Sequence, residues 1–242
     1  MINYKMKGSV NSVETFGLLD GPGIRYVLFF NGCLLRCKFC HNPEMFTIKE
    51  KNITVKECVD KILRFKPYFN NGGGVTLSGG EPLLQVDFLI ELCKALKKEN
   101  IHITLDTAGV GIGKYEEVLS LVDLVILDIK HLTREGYQDI TGHSIDEFKK
   151  FVAVLTKSNK DTWIRQVVVP LVHDNQEYML MLQKYLGTLK NIKKVEFLPY
   201  HKIGDSKYDD LGIINPYKDK EAMDAKRCEE LYNKYIKDNL TF

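Results

Sequence analysis

The chain reads as an α/β protein built on a parallel sheet with helical crossovers. Short β-branched or aromatic runs alternate with longer stretches of helical period, no linker or repeat interrupts the alternation, and the apolar runs end in glycine, proline or charged residues. Strands are expected at 24–30, 74–77, 101–105, 123–127, 162–169 and 193–198, each rich in Val, Ile, Leu or aromatic residues and bounded by turn formers. Helices are expected at 55–67, 85–98, 115–121, 144–157, 174–187 and 220–236, where apolar residues recur at three- and four-residue intervals. Six such units make either an incomplete barrel, short of the closed eight-stranded form, or a flat doubly wound sheet. With no Pro/Ser-rich or low-complexity tract to mark a boundary, residues 1–242 are expected to form one domain.

Composition narrows the function classes. The 242 residues can bury one sizeable core, and 44% hydrophobic with 27% charged residues is ordinary for a soluble globular protein. A formal net charge of +2 gives no electrostatic case for nucleic acid or an anionic membrane. Residues 1–8 lack the apolar stretch of a signal peptide and no apolar run approaches a membrane span. A cytoplasmic location is therefore expected, with the six cysteines as reduced thiols or metal ligands. Cys58, Cys93 and Cys228 each sit among apolar residues at helical spacing, which reads as core packing.

The other three, Cys33, Cys37 and Cys40, form a C-x3-C-x-Φ-C loop, with the aromatic Phe39 before the last cysteine. Soft thiolates suit iron–sulfur clusters or zinc, and three are one fewer than a saturated site normally uses. Zinc would need His41 as fourth ligand, which puts two adjacent residues on one tetrahedral ion, and no second ligand pair follows. A cluster with one iron left open is the better reading.

The other strand ends carry matching chemistry. Ser78-Gly79-Gly80-Glu81 follows the second strand, Asp106-Thr107-Ala108-Gly109 the third, Asp128-Ile129-Lys130 the fourth and Pro199-Tyr200-His201 the sixth. In parallel α/β folds the active site gathers at the carboxyl ends of the strands. Glycines at such an end let backbone approach a ligand, and charges of both signs on one rim can hold a zwitterion. Singly, each has a plainer reading: Asp106 as a cap, Lys130 as a solvated cation, His201 as an ordinary histidine. Arg165 alternates with Trp163, Val167 and Val169, so its guanidinium is expected to be buried and to need an anion, with Asp20 and Asp128 as candidates.

The segments 20–25, 33–42, 72–81, 106–107, 127–130, 163–170 and 198–201 occur in an order that resembles the glycyl-radical-enzyme activases of the radical S-adenosylmethionine superfamily, over almost the whole chain. The resemblance implies a partial (β/α)6 barrel of parallel strands, a [4Fe–4S] cluster on Cys33, Cys37 and Cys40, and S-adenosylmethionine as cofactor. It implies that backbone at Phe39 meets adenine, and that Gly79, Gly80 and Glu81 hold the methionyl amino group. It places Asp106, Thr107, Asp128 and the backbone of Ile126 at a monovalent-cation site beside the cofactor carboxylate. Lys130, Arg165 and His201 would orient cofactor and substrate, and Asp20 would lie near the incoming peptide.

The implied reaction is reductive cleavage of the cofactor to a 5′-deoxyadenosyl radical, which takes hydrogen from a glycine of the partner enzyme. Only about thirty residues separate His41 from Gly72, too few for the ferredoxin-like insert of some activases. That favours the short type acting on pyruvate formate-lyase, with flavodoxin or ferredoxin as electron donor and a monomeric chain. Ala108 departs from the family's Asp-Thr-Asn-Gly pattern, and the polar loop 202–220 reads equally as a partner contact or a solvated connection.

Overall fold

The computed structural model describes residues 1–70, 72–237 and 239; positions 71, 238 and 240–242 of the expected span 1–242 lie outside the described residues. The first elements are β1 (Lys7–Gly8), β2 (Val10–Gly17), β3 (Arg25–Phe30), β4 (Ile53–Thr54), α1 (Val55–Leu63) and β5 (Gly74–Gly79). There follow α2 (Val86–Lys98), β6 (His102–Thr107), α3 (Tyr115–Leu121), β7 (Leu124–Asp128), α4 (Arg134–Thr141) and α5 (Asp146–Ser158). The last are β8 (Asp161–Val168), α6 (Gln176–Leu186), β9 (Ile192–Pro199), α7 (Asp205–Leu211) and α8 (Ala225–Tyr232).

Seven strands form one sheet in the order β2-β3-β5-β6-β7-β8-β9, and β1 pairs with β4 in a small second sheet. The six expected apolar runs are the six mutually parallel strands, β3 and β5 to β9. Strands covered on both faces read as continuous apolar runs, which is why they were visible. The seventh, β2, runs antiparallel to β3 at the sheet edge. Most of its side chains are exposed or half-buried, so it leaves no apolar run to find.

The choice between a flat and a curled sheet is settled by contacts across it. β3 and β8 are four spacings apart in the strand order, roughly 19 Å if the sheet were flat. Yet the Arg165 guanidinium on β8 donates to the carbonyl of Leu19, just ahead of β3. The sheet is therefore an open, curled partial barrel, unclosed between β2 and β9.

Helix ends follow local chemistry. Thr54 and Glu57 form a reciprocal capping box at the start of α1. The expected helix 55–67 stops at Leu63, ahead of a separate short turn, Lys66–Tyr68, that carries Pro67. The expected helix 220–236 starts later, at the Asp224 cap of α8. Two helices were not anticipated, α4 and α7, because each offers few apolar residues to the core. Cys58, Cys93 and Cys228 are buried in the apolar core, as their spacing suggested. Among the described residues no helix is long and apolar enough to cross a membrane.

Candidate active site

The carboxyl ends of the parallel strands open onto a cavity of about 290 Å³, and Cys33, Cys37 and Cys40 line it together with Phe39. The cysteine loop is held in shape by backbone hydrogen bonds from both sides. The Gly32 amide donates to the Met45 carbonyl (2.8 Å), while those of Arg36 and Lys38 donate to Thr141 (2.8 Å) and Ile140 (2.9 Å) at the end of α4. From the other flank the Tyr208 hydroxyl of α7 donates to the Cys40 carbonyl (3.0 Å), and the Lys207 ammonium meets Asn42 (2.8 Å) and Glu44 (2.7 Å). The segment 202–220 thus carries a helix docked on residues 40–44.

All three thiols are free. Burial pushes the Cys33 and Cys37 thiols up to about 12 and raises that of Cys40, so metal taking them as thiolates must displace their protons. His41 is engaged elsewhere: its Nε2 lies 2.8 Å from the His201 carbonyl oxygen, and the two rings stack 4.0 Å apart. Among the described residues no group of three or more His, Cys, Asp or Glu closes on a single ion, whereas a cubane spreads its protein ligands over separate irons.

Facing the thiols is a charged wall built from successive strands. Asp106 ends its apolar run in β6, Asp128 closes β7, Arg165 projects from β8, and Lys130 follows β7; all four line the cavity. Arg165 pairs with Asp106 (3.4 Å) and Glu196 (3.2 Å), not with the expected Asp20 or Asp128. Asp128 and Glu196 flank Arg165 in register, on β7 and β9, and Asp128 is bound instead to Lys130 (3.1 Å), which leaves Glu196 as the flanking carboxylate that pairs. Asp106 also accepts from the Ser78 hydroxyl (2.8 Å). Burial raises the Asp106 carboxyl above the usual range, against the pull of Arg165. For Lys130, burial works against the ammonium but is outweighed by Asp128 and the neighbouring thiols, so its pKa rises. That ammonium sits 5.5 Å over the Phe39 ring.

Behind this wall His173 is fully buried, its Nδ1 accepting from the Val169 amide (3.1 Å) and its Nε2 facing the Lys130 carbonyl (3.1 Å). Burial drives its pKa down to about 3, so the ring is neutral and Nε2 carries the proton.

Gly79 and Gly80 line the cavity as expected, but packing also demands them. A Cβ on Gly79, at φ +120°, would lie 2.2 Å from the Phe30 amide, and one on Gly80 would lie 2.3 Å from the Gly32 carbonyl. Glu81 is buried and does not line the cavity. Its carboxylate accepts from the Thr107 hydroxyl (2.6 Å) and from the amides of Leu83 (3.1 Å) and Ala108 (2.9 Å), and burial raises it to about 7. It therefore fixes the loop after β6.

The cavity thus gathers Cys33, Cys37, Phe39, Cys40, Gly79, Gly80, Asp106, Thr107, Asp128, Lys130 and Arg165, and leaves Asp20, Glu81, Ile126 and His201 outside its lining. Asp20 is half-buried, with burial raising its carboxyl against nearby Arg165. Ile126 is fully buried and His201 exposed. Sequence reasoning missed Glu196, His173, Lys207 and Tyr208, which join the site only through contacts between distant segments.

The model of the Radical SAM superfamily matches residues 27–182. The pyruvate formate-lyase-activating enzyme of Clostridium pasteurianum is 46% identical over 235 residues, covering 96% of this chain and 98% of that protein. The enzyme of the same name from Staphylococcus epidermidis is 41% identical, covering 97% of each. Among solved structures, a domain of pyruvate-formate lyase-activating enzyme from Bacteroides vulgatus superposes with a TM-score of 0.54 at 22% identity, covering 68% of this chain and 95% of that one. A radical SAM methyltransferase from Sphaerobacter thermophilus gives 0.60 at 14% identity, covering 86% and 62%. These two structures speak for the fold alone.

The superfamily's [4Fe–4S] cluster and S-adenosylmethionine are this chain's cofactors. The donor set fits them, with three soft thiols, Cys37 buried and Cys33 and Cys40 partly so, lining one cavity with charges of both signs. The chain belongs to the Radical SAM superfamily and, within it, to the family of the pyruvate formate-lyase-activating enzymes.

Proposed function

We propose that the chain activates pyruvate formate-lyase by creating a radical on one of its glycines. The observation that carries this is the convergence of three thiols, an aromatic ring and a two-signed charged wall on one cavity at the open end of the barrel. The names of the relatives, matched over nearly the full length of both chains, support the choice of partner.

Cys33, Cys37 and Cys40 would hold the cluster, and when bound it supplies the electron that splits S-adenosylmethionine to the hydrogen-abstracting 5′-deoxyadenosyl radical. The chain's own work is placement. Lys130 and Arg165 offer cations for a carboxylate, while Asp106 and Asp128 offer acceptors for an ammonium group. Gly79 and Gly80 admit backbone contact, and Phe39 offers a face for a purine. Thr107, Asp128 and the Ile126 backbone remain the proposed cation site with Asp106. Asp20, next to the Leu19 carbonyl that accepts from Arg165, would meet the incoming peptide, with His201 nearby. Buried walls exclude water from the reacting atoms. A flavodoxin or ferredoxin is the proposed donor, and we assign the chain as a single-domain cytoplasmic monomer.

The test is an anaerobic mixture of iron–sulfide-reconstituted chain, reductant, S-adenosylmethionine and pyruvate formate-lyase. A glycyl radical by electron paramagnetic resonance, with matching 5′-deoxyadenosine, is expected. Cofactor cleavage that leaves this lyase without a radical would redirect the target; no cleavage at all defeats the reading.

A further inference from the structure

Tyr137 carries the one buried phenol oxygen among the described residues that has no hydrogen-bond partner. The residue is fully buried, its ring 5.9 Å from that of Phe148. Leaving such a group unpaired is costly, and other buried phenols among the described residues avoid it. Tyr178 donates to Gln166 (2.7 Å), and Tyr208 to the Cys40 carbonyl (3.0 Å).

The orphaned hydroxyl lies on a particular face. Tyr137, Ile140 and Thr141 are the buried residues of α4, spaced to share one side of the helix. The carbonyls of Thr141 and Ile140 receive the amides of Arg36 and Lys38. Cys37 is the residue between those two, so it is fixed at the C-terminal turn of α4, one turn on from Tyr137. Burial raises the phenol's pKa, and Cys37 stands first among the ionisable groups that add to that shift.

We propose that the Tyr137 hydroxyl donates a hydrogen bond to the Cys37 sulfur, or to a sulfide beside it, when the cluster is in place, and so raises the cluster's reduction potential. Reduction adds negative charge to the sulfurs, so a fixed O–H dipole favours the reduced form more than the oxidised one. Tyr137 then acts through the cluster as a tuning residue, touching neither S-adenosylmethionine nor substrate. The inference rests on Cys37 being a cluster ligand.

The test is spectroelectrochemistry of reconstituted Tyr137→Phe beside wild type, with iron and sulfide content measured in both. At the potential where half the wild-type cluster is reduced, the variant should show a reduced-to-oxidised ratio about tenfold lower, which is 59 mV for one electron. Tyr178→Phe, which loses a buried phenol bonded to Gln166, should leave the potential in place. Wild type offers a second readout that needs no variant: iron–sulfur stretching bands should shift in deuterium oxide. An unchanged potential in a fully loaded Tyr137→Phe chain, or bands that ignore deuterium, overturns the inference alone. A wild-type chain that takes up no iron and sulfide overturns the reading of the site as well.

Discussion

The barrel buries two guanidiniums, one toward each end, and it satisfies them by opposite means. Arg25, at the start of β3, is fully buried and, among the described residues, pairs with no carboxylate. It donates to the hydroxyls of Thr76 (3.0 Å) and Thr104 (2.9 Å), and to the carbonyls of Pro22 (3.3 Å), Gly72 (3.2 Å), Val75 and His102 (3.3 Å). Arg165, on the cavity side, pairs with Asp106 and Glu196. Burial lowers Arg25 to about 10, whereas for Arg165 the carboxylates outweigh burial and raise it.

The difference separates a fastening from a receptor. Neutral acceptors drawn from several strands lock a charge permanently, because no ligand can replace a backbone carbonyl. A carboxylate partner can be exchanged for a ligand's carboxylate, leaving the guanidinium paired throughout.

The largest effect should come from Arg25→Leu, which strands hydroxyls and carbonyls around an apolar side chain. A loss of about 3–5 kcal/mol is expected from denaturant unfolding. Arg25→Lys should recover only part, since one ammonium cannot span acceptors on so many sides. A loss under about 1 kcal/mol would show that the guanidinium does not hold that end.

Arg165→Leu should invert the pattern. Stability falls by about 1–3 kcal/mol, while radical yield drops on the order of 100-fold through misplaced ligand. Full activity with a stability loss equal to that of Arg25→Leu would erase the distinction between the two ends.

His173 asks whether the open end also relies on neutral fastening. The unfolded ring takes a proton near 6.5, and the folded ring refuses it until about 3. Its contribution is therefore fully present above 6.5 and lost as pH falls through that window, by up to about 1.4 kcal/mol per unit. His173→Gln should flatten the acid-unfolding profile of the apo chain by about one proton; a profile of unchanged slope argues against a buried neutral ring. The smallest effect is expected of Tyr208→Phe, about 1 kcal/mol from one hydrogen bond. It should be visible as slightly easier unfolding and faster iron loss to a chelator, and identical chelation rates would detach α7 from the cysteine loop.

What the sequence revealed and concealed follows from range. The six parallel strands announced themselves because both faces are covered, and the cysteine loop because its ligands are neighbours in the chain. The charged wall was legible since Asp106, Asp128 and Arg165 break apolar runs. By contrast β2 pairs through its backbone, α4 and α7 bury few side chains, and Glu196 meets Arg165 only after the sheet assembles. The face of Arg165 could be read by alternation; its partner depended on which flanking carboxylate Lys130 had already taken, which no local pattern encodes. Arg25 is the sharpest case, a residue inside a predicted strand whose acceptors come from segments up to 79 positions away.

The cysteine loop is tied to Met45, to α4 and to α7 by bonds that involve no metal. Small metal-dependent domains fall apart when stripped, because metal binding is their folding energy. Hydrogen bonds of this kind do not depend on the metal, so the loop they hold should outlast loss of the cluster. For a protein whose cluster meets oxygen, that means damage can be answered by refilling the same molecule, at the pace of iron and sulfide supply, without waiting for a new chain to be made.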